Sequence, residues 1–166
     1  MNEFQRLWWQ QARSDHEVFL LLRREGISAC HLLHYLQMAT EKLAKAYFWR
    51  TNAPPKSHAG FVKFLRSLGG TPTAHRSSMA KRFAFNRFED FQRWIFAVLP
   101  IAYDLERITP ALASDGPNSE YPWPHAKPAN APVSYEFDVW NSLAKHQGRE
   151  LMRFVHRAVE RFSEFA

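Results

Sequence analysis

The sequence predicts an all-α fold, an up-and-down bundle of four to five helices. Three observations predict it. Apolar residues recur at helical spacing over long stretches. β-branched residues never alternate over a strand's length. Glycine is scarce, six in 166 residues, so few positions interrupt a helix from within.

Taken in order, the first helix is predicted from Asn2 to Glu25, with Gly26 as its stop. Phe4, Trp8, Ala12, Phe19 and Leu22 share one side of it, and Asp15 falls among them. A carboxylate on a core stripe requires a cation, because burying it alone is costly. Ser28 is predicted to cap a second helix reaching Arg50, with Leu32, Leu36, Ala39, Leu43, Ala46 and Tyr47 as its apolar stripe. "TNAPP" ends that helix, since proline cannot continue it. Ser57 is predicted to cap a third helix, His58 to Leu68, closed by Gly69 and Gly70.

Residues 71–86 read as irregular, with one short helix around Ser78 to Phe83. A long helix follows from Arg87 to Ile108, and Pro100 within it predicts a kink or a break. Residues 109–134 hold six of the ten prolines, too many for regular structure. Tyr121 and Trp123 in this stretch predict an ordered arm packed on the bundle before the last helix. Glu136 to Ala144 is predicted as a short helix, and Gln147 to Phe165 as the last. Leu151, Phe154, Val155, Ala158 and Phe162 form its buried side. No internal boundary appears, so residues 1–166 read as one domain.

Composition narrows the function classes. Hydrophobic residues make up 46%, enough for a core. Cys30 is the single cysteine, which excludes an internal disulfide and a multi-cysteine zinc site. His31 and His34 lie one helical turn apart, but no third ligand is indicated, so no metal site is expected. Neither a glycine-rich phosphate loop nor a dinucleotide fingerprint occurs, and no cofactor is expected. The first residues turn polar too soon for a signal peptide, and no apolar run spans a membrane. The expectation is a cytoplasmic protein without a membrane partner. A net charge of +6 permits a polyanionic partner without requiring one.

Three pieces of sequence occur in a telling order. "QMATEKLAKA", Gln37 to Ala46, carries Glu41, Lys42 and Lys45 on a helix. "ARSDHEVFLLL", Ala12 to Leu22, precedes it with Asp15, and "PPKSHAGFVKFL", Pro54 to Leu65, follows. Together they resemble the first three helices of the HEPN family, the higher eukaryotes and prokaryotes nucleotide-binding domain. The likeness covers about residues 10 to 68 and is only general beyond. The resemblance implies a four- to five-helix bundle, often dimeric, with nucleic-acid-linked roles. Some such proteins are metal-independent RNases with an Arg-(four to six residues)-His motif. Others accompany a nucleotidyltransferase partner as toxin–antitoxin pairs, and others serve only as binding modules.

Each candidate constellation has a bland and a sharp reading. Lys45 follows Glu41 by four residues, the favourable orientation for an ion pair on a solvated helix face. The sharper reading pairs Asp15 with one of the lysines, Lys42 or Lys45, across the first two helices. Arg149 and His156, six residues between them, match the upper spacing of the RNase motif. They share a face of the last helix with Arg153, opposite the apolar stripe. Arginine there would hold a phosphate and histidine would act as acid or base. Glu150 stands where the family motif usually carries Asn, Asp or His, and its charge opposes phosphate.

A second basic stretch sets Arg76, Lys81, Arg82, Arg87 and Arg93 among phenylalanines and Trp94, a mixture suited to single-stranded nucleic acid. Phe88, Phe91 and Phe96 are expected in the core, leaving the cations for phosphate contact. Three functions remain open: a non-enzymatic HEPN-like module, a HEPN-type endoribonuclease using Arg149 and His156 across a homodimer, or a nucleotide or small-ligand site under the Tyr121–Trp123 arm.

Overall fold

The computed structural model describes residues 1–51, 58–123 and 129–166. Among these residues eight α-helices and four short 3-10 turns account for the regular structure, with one isolated β-bridge between Trp123 and Asn130. Helix α1 runs Glu3–Arg24. Asn2 caps it by accepting the Gln5 N–H at 2.9 Å, while the Gln5 side chain accepts the Asn2 N–H at 3.0 Å. Gly26 takes φ 67°, the left-handed conformation that lets the chain turn back. Helix α2 runs Ala29–Phe48 and tightens into a 3-10 turn at Trp49–Thr51. Ser28 holds the cap position but its side chain makes no capping bond. The Ser28 carbonyl accepts the His31 N–H at 3.1 Å, and α2 packs on α1 in the most extensive helix pairing among the described residues.

Helix α3 runs Phe61–Gly69, three residues later than the His58 start expected. The expected cap, Ser57, and Pro54 and Pro55 lie outside the described residues. The Val62 N–H at the start of α3 is taken by a residue distant in sequence: it donates to Glu106 Oε1 at 2.9 Å. Helix α4 spans Arg76–Arg82 and begins two residues ahead of expectation, on a 3-10 turn at Thr73–His75. Helix α5, Phe88–Arg107, continues through Pro100 without a break. Pro100 is exposed and so is Phe96, whose carbonyl lacks the usual N–H partner. The defect therefore lies on the solvent side, where water satisfies it. This also corrects the expectation for Phe96, which is 65% exposed, while Phe88 and Phe91 are buried.

Helix α6 is a single turn, Pro110–Ala113, and begins the arm. Trp123 is buried edge-on against Tyr135 at 5.0 Å, whereas Tyr121 is 61% exposed. The arm is thus pinned by its tryptophan and not by its tyrosine. Helices α7, Asp138–Ala144, and α8, His146–Glu160, follow, with a 3-10 turn at Phe162–Glu164 in place of a longer α8. They meet so closely that a Cβ on Gly148 would lie 2.3 Å from Leu143 Cα. The core is strongly aromatic: Phe64, Phe83, Phe91, Phe154 and Phe165 are buried together, with Tyr47 beside them. Phe4 departs from the expected core stripe, since it is exposed and stacks on Trp49 at 4.5 Å. No helix among the described residues is long and apolar enough to cross a membrane.

Candidate anion-binding cleft

Two groups of charged residues must be distinguished, one internal and one open. The internal group grows from α2. Lys42 Nζ lies 2.6 Å from Asp15 Oδ2, joining α2 to α1, with both side chains largely buried. Lys45 Nζ lies 2.6 Å from Glu41 Oε1 one turn earlier. Glu41 is only 4% exposed, so the solvated-face reading of this pair is corrected. Its other oxygen meets His58 Nδ1 at 2.7 Å and accepts from Gln37 Nε2 at 3.1 Å. Burial pushes the Glu41 carboxyl up, but the bonds from Lys45, His58 and Gln37 outweigh it and hold the group below its ordinary value. Glu106, close by, goes the other way. Burial raises it more than the Val62 and Phe61 N–H groups lower it, and the charge of Glu41 adds to the rise. Asp15–Lys42 thus joins α1 to α2, Glu41 joins α2 to His58 ahead of α3, and Glu106 joins α5 to the start of α3.

The open group lies where α8 crosses α1. Trp9 Nε1 donates to the Val159 carbonyl at 2.7 Å, and Ala12, His16 and Phe19 are buried beneath α8. The apolar stripe Leu151, Phe154, Val155, Ala158 faces inward, which turns Arg149, Arg153 and His156 to the outer side. Arg157 extends this row by another turn, and Arg23 faces it from α1. The four arginines and two histidines border one cleft of about 480 Å³ floored by Phe19, Leu20 and Met152. It runs on into a smaller hollow beside Trp140 and Leu143.

His16 and His156 stand with ring centroids 5.3 Å apart. His16 is buried and its Nδ1 has no hydrogen-bond partner. Burial first, and the neighbouring His156 second, lower its pKa to about 4 against weaker opposing effects of Glu160 and Glu17. It is a neutral imidazole at physiological pH, and His156 is the exposed member of the pair.

Arg149 Nη1 donates to the Ala144 carbonyl at 2.5 Å, capping the end of α7. Arg153 Nη1 meets Glu150 Oε1 at 2.5 Å, so Glu150 neutralises one member of the row. Arg23 and Arg157 enter no ion pair among the described residues. Sequence reading missed Arg23, Arg157 and His16. Arg157 is detectable as one more turn of the Arg149–Arg153 row, and His16 and Arg23 lie seven apart on one face of α1. Only the crossing of α1 and α8 makes them neighbours.

The other predicted contacts scatter. Arg93 pairs with Asp90, Arg87 Nε lies 3.6 Å from Glu89, and Arg76 donates to the Thr71 carbonyl while packing over Phe88. Lys81 is exposed, and Arg82 points to a separate pocket at the end of α4. Beneath the arm, a pocket of about 310 Å³ is bordered by Asp104, Asp138 and Arg107 with Tyr135 and Phe137. Burial raises the Asp104 carboxyl, Arg107 opposes this, and Asp138 adds to it. Tyr121 does not border this pocket, and its carboxylates suit a nucleotide phosphate poorly. No three metal-ligating side chains cluster among the described residues. No protein-family model, no curated protein and no solved structure matches the chain.

Proposed function

We propose that the protein is a HEPN-like, non-enzymatic binding module that holds a phosphate-bearing strand, single-stranded RNA in the first instance, in the α1–α8 cleft. One observation carries this reading: Arg23, Arg149, Arg153 and Arg157 converge on one open cleft from two helices. Clustered guanidinium groups repel one another and offer forked donors that fit phosphate oxygens. The two arginines that make no ion pair supply the strongest attraction, and Arg149 and Arg153 exchange present partners for phosphate. The internal Asp15–Lys42 and Glu41–Lys45–His58 contacts support the HEPN-like reading, since they tie together the three segments that carry the resemblance. A homodimer and a nucleotidyltransferase partner in a toxin–antitoxin or defence setting belong to the same proposal.

Equilibrium binding of a labelled single-stranded RNA tests it. Arg157→Gln is expected to weaken binding by about tenfold, near 1.5 kcal/mol for a charged hydrogen bond. Arg24→Gln, whose parent side chain pairs with Glu25 away from the cleft, is expected to leave affinity unchanged. Equal affinity in all three proteins would remove the assignment.

A second reading is favoured by the His16–His156 contact. His156, exposed beside a neutral imidazole and on the row of Arg149, is available as a general acid or base for metal-independent RNA cleavage. RNA degradation in EDTA that disappears in His156→Ala selects this reading. Intact RNA with pure protein rejects it and leaves the binding module.

A further inference from the structure

We propose a second anion site, independent of the α1–α8 cleft, at the end of the bundle where the 3-10 turn after α2, the end of α3 and α4 meet: a pocket for the phosphate of a small phosphomonoester. Tyr47, Arg50, Ser67, His75, Ser78 and Arg82 border a pocket of about 430 Å³ there. No carboxylate among the described residues borders it. Neither Arg50 nor Arg82 enters an ion pair among the described residues. Two guanidinium groups around one hollow leave positive potential that a dianion would offset, and the His75 imidazole adds a hydrogen-bonding group beside them.

The cations are oriented, not merely present. The Arg50 guanidinium lies 3.7 Å over the Tyr47 ring, which fixes its plane at the pocket wall. Tyr47 is buried, and its hydroxyl lies 3.3 Å from Ser67 Oγ, so the aromatic wall is itself held. The Ser67 hydroxyl can accept from Tyr47 and donate to a phosphate oxygen, whereas Ser78 Oγ already donates to the His75 carbonyl at 2.9 Å.

Helix C-termini carry partial negative charge, and α3 ends here, which opposes an anion. That opposition is weakened because the local carbonyls already have donors. The Leu68 carbonyl accepts from Thr71 Oγ1 at 2.6 Å, and the Thr71 carbonyl accepts from Arg76 Nε at 3.2 Å. The arginines facing the pocket are therefore surplus to capping. The volume exceeds that of a bare phosphate and fits a small organic group carried on it.

Titration of the full chain in chloride buffer tests the site, with inorganic phosphate, adenosine monophosphate and glucose 6-phosphate as separate probes. Amide chemical shifts and calorimetry are read together. The expected result is binding of at least one phosphomonoester, with shifts concentrated at Ser67, His75 and Ser78, and a weakening of tenfold or more in Arg82→Gln and Arg50→Gln. Arg82→Lys, which keeps the charge, retains part of the affinity. Arg157→Gln, in the α1–α8 cleft, leaves the shifts at Ser67 and Ser78 unchanged, so failure of either site is read separately. Binding of inorganic phosphate alone overturns the phosphomonoester assignment. Absence of shifts at Ser67, His75 and Ser78 with every probe at 10 mM, a concentration on the order of weak anion binding, overturns the site. Shifts that vanish only in Arg157→Gln do the same.

Discussion

Lys42 and Asp15 are 2.6 Å apart in a largely buried setting, so each depends on the other. Removing the cation alone strands a carboxylate that is 7% exposed. Lys42→Ala is expected to lower unfolding free energy by about 3 kcal/mol, the scale of a broken buried pair. The double change Asp15→Leu with Lys42→Leu is expected to recover most of it, as chemical denaturation will show. His16 makes a second prediction at this scale. Its folded pKa, about 4, lies below the ordinary 6.5 because it is buried beside His156. The unfolded chain therefore binds its proton first as pH falls. The stability this group supports is complete above about pH 6.5 and is lost as pH falls through about 4, by roughly 3 kcal/mol on linkage grounds. His16→Phe is expected to flatten this part of the stability profile, and an unchanged acid limb would contradict the assignment.

At the scale of elements, α7 and α8 depend on the missing side chain of Gly148. A methyl group there would meet the Ser142 carbonyl and Leu143 backbone at 2.3 Å, and backbone cannot step aside as a side chain can. Gly148→Ala is expected to cost about 2 kcal/mol or more by forcing the two helices apart, measurable as a fall in Tm, although alanine is the better helix former. The same scale shows what the sequence made legible. The apolar stripes of α2 and α8 were readable from their spacing: Leu32, Leu36, Ala39, Leu43, Ala46 and Tyr47 are all buried, as are Leu151, Phe154, Val155, Ala158 and Phe162. The start of α3 was not readable, because the carboxylate that takes its Val62 N–H, Glu106, lies 44 residues away. Continuity through Pro100 and exposure of Phe96 depend on which side of α5 meets solvent, which tertiary packing decides. Of the cleft, the α8 row was legible from spacing, whereas Arg23 and His16 joined it only through the crossing of two helices distant in sequence.

For the whole molecule, charge is divided by role. Carboxylates and lysines at Asp15, Lys42, Glu41 and Lys45 are turned inward to join helices. Arginines on α1 and α8 are turned outward around a common cleft, within a chain of net charge +6. On the proposed reading that division suits a polyanion, and counterion release is the expected signature of its binding. The most direct test is the affinity for single-stranded RNA measured across a range of salt concentrations. The expected plot of log affinity against log salt is linear with a slope of about −2 to −3, since each phosphate contact on a single strand contributes about −0.7. The double variant Arg153→Gln with Arg157→Gln should flatten that slope by about 1.4. A flat line for the unaltered protein, or a slope the double variant leaves unchanged, would contradict the cleft as the binding surface.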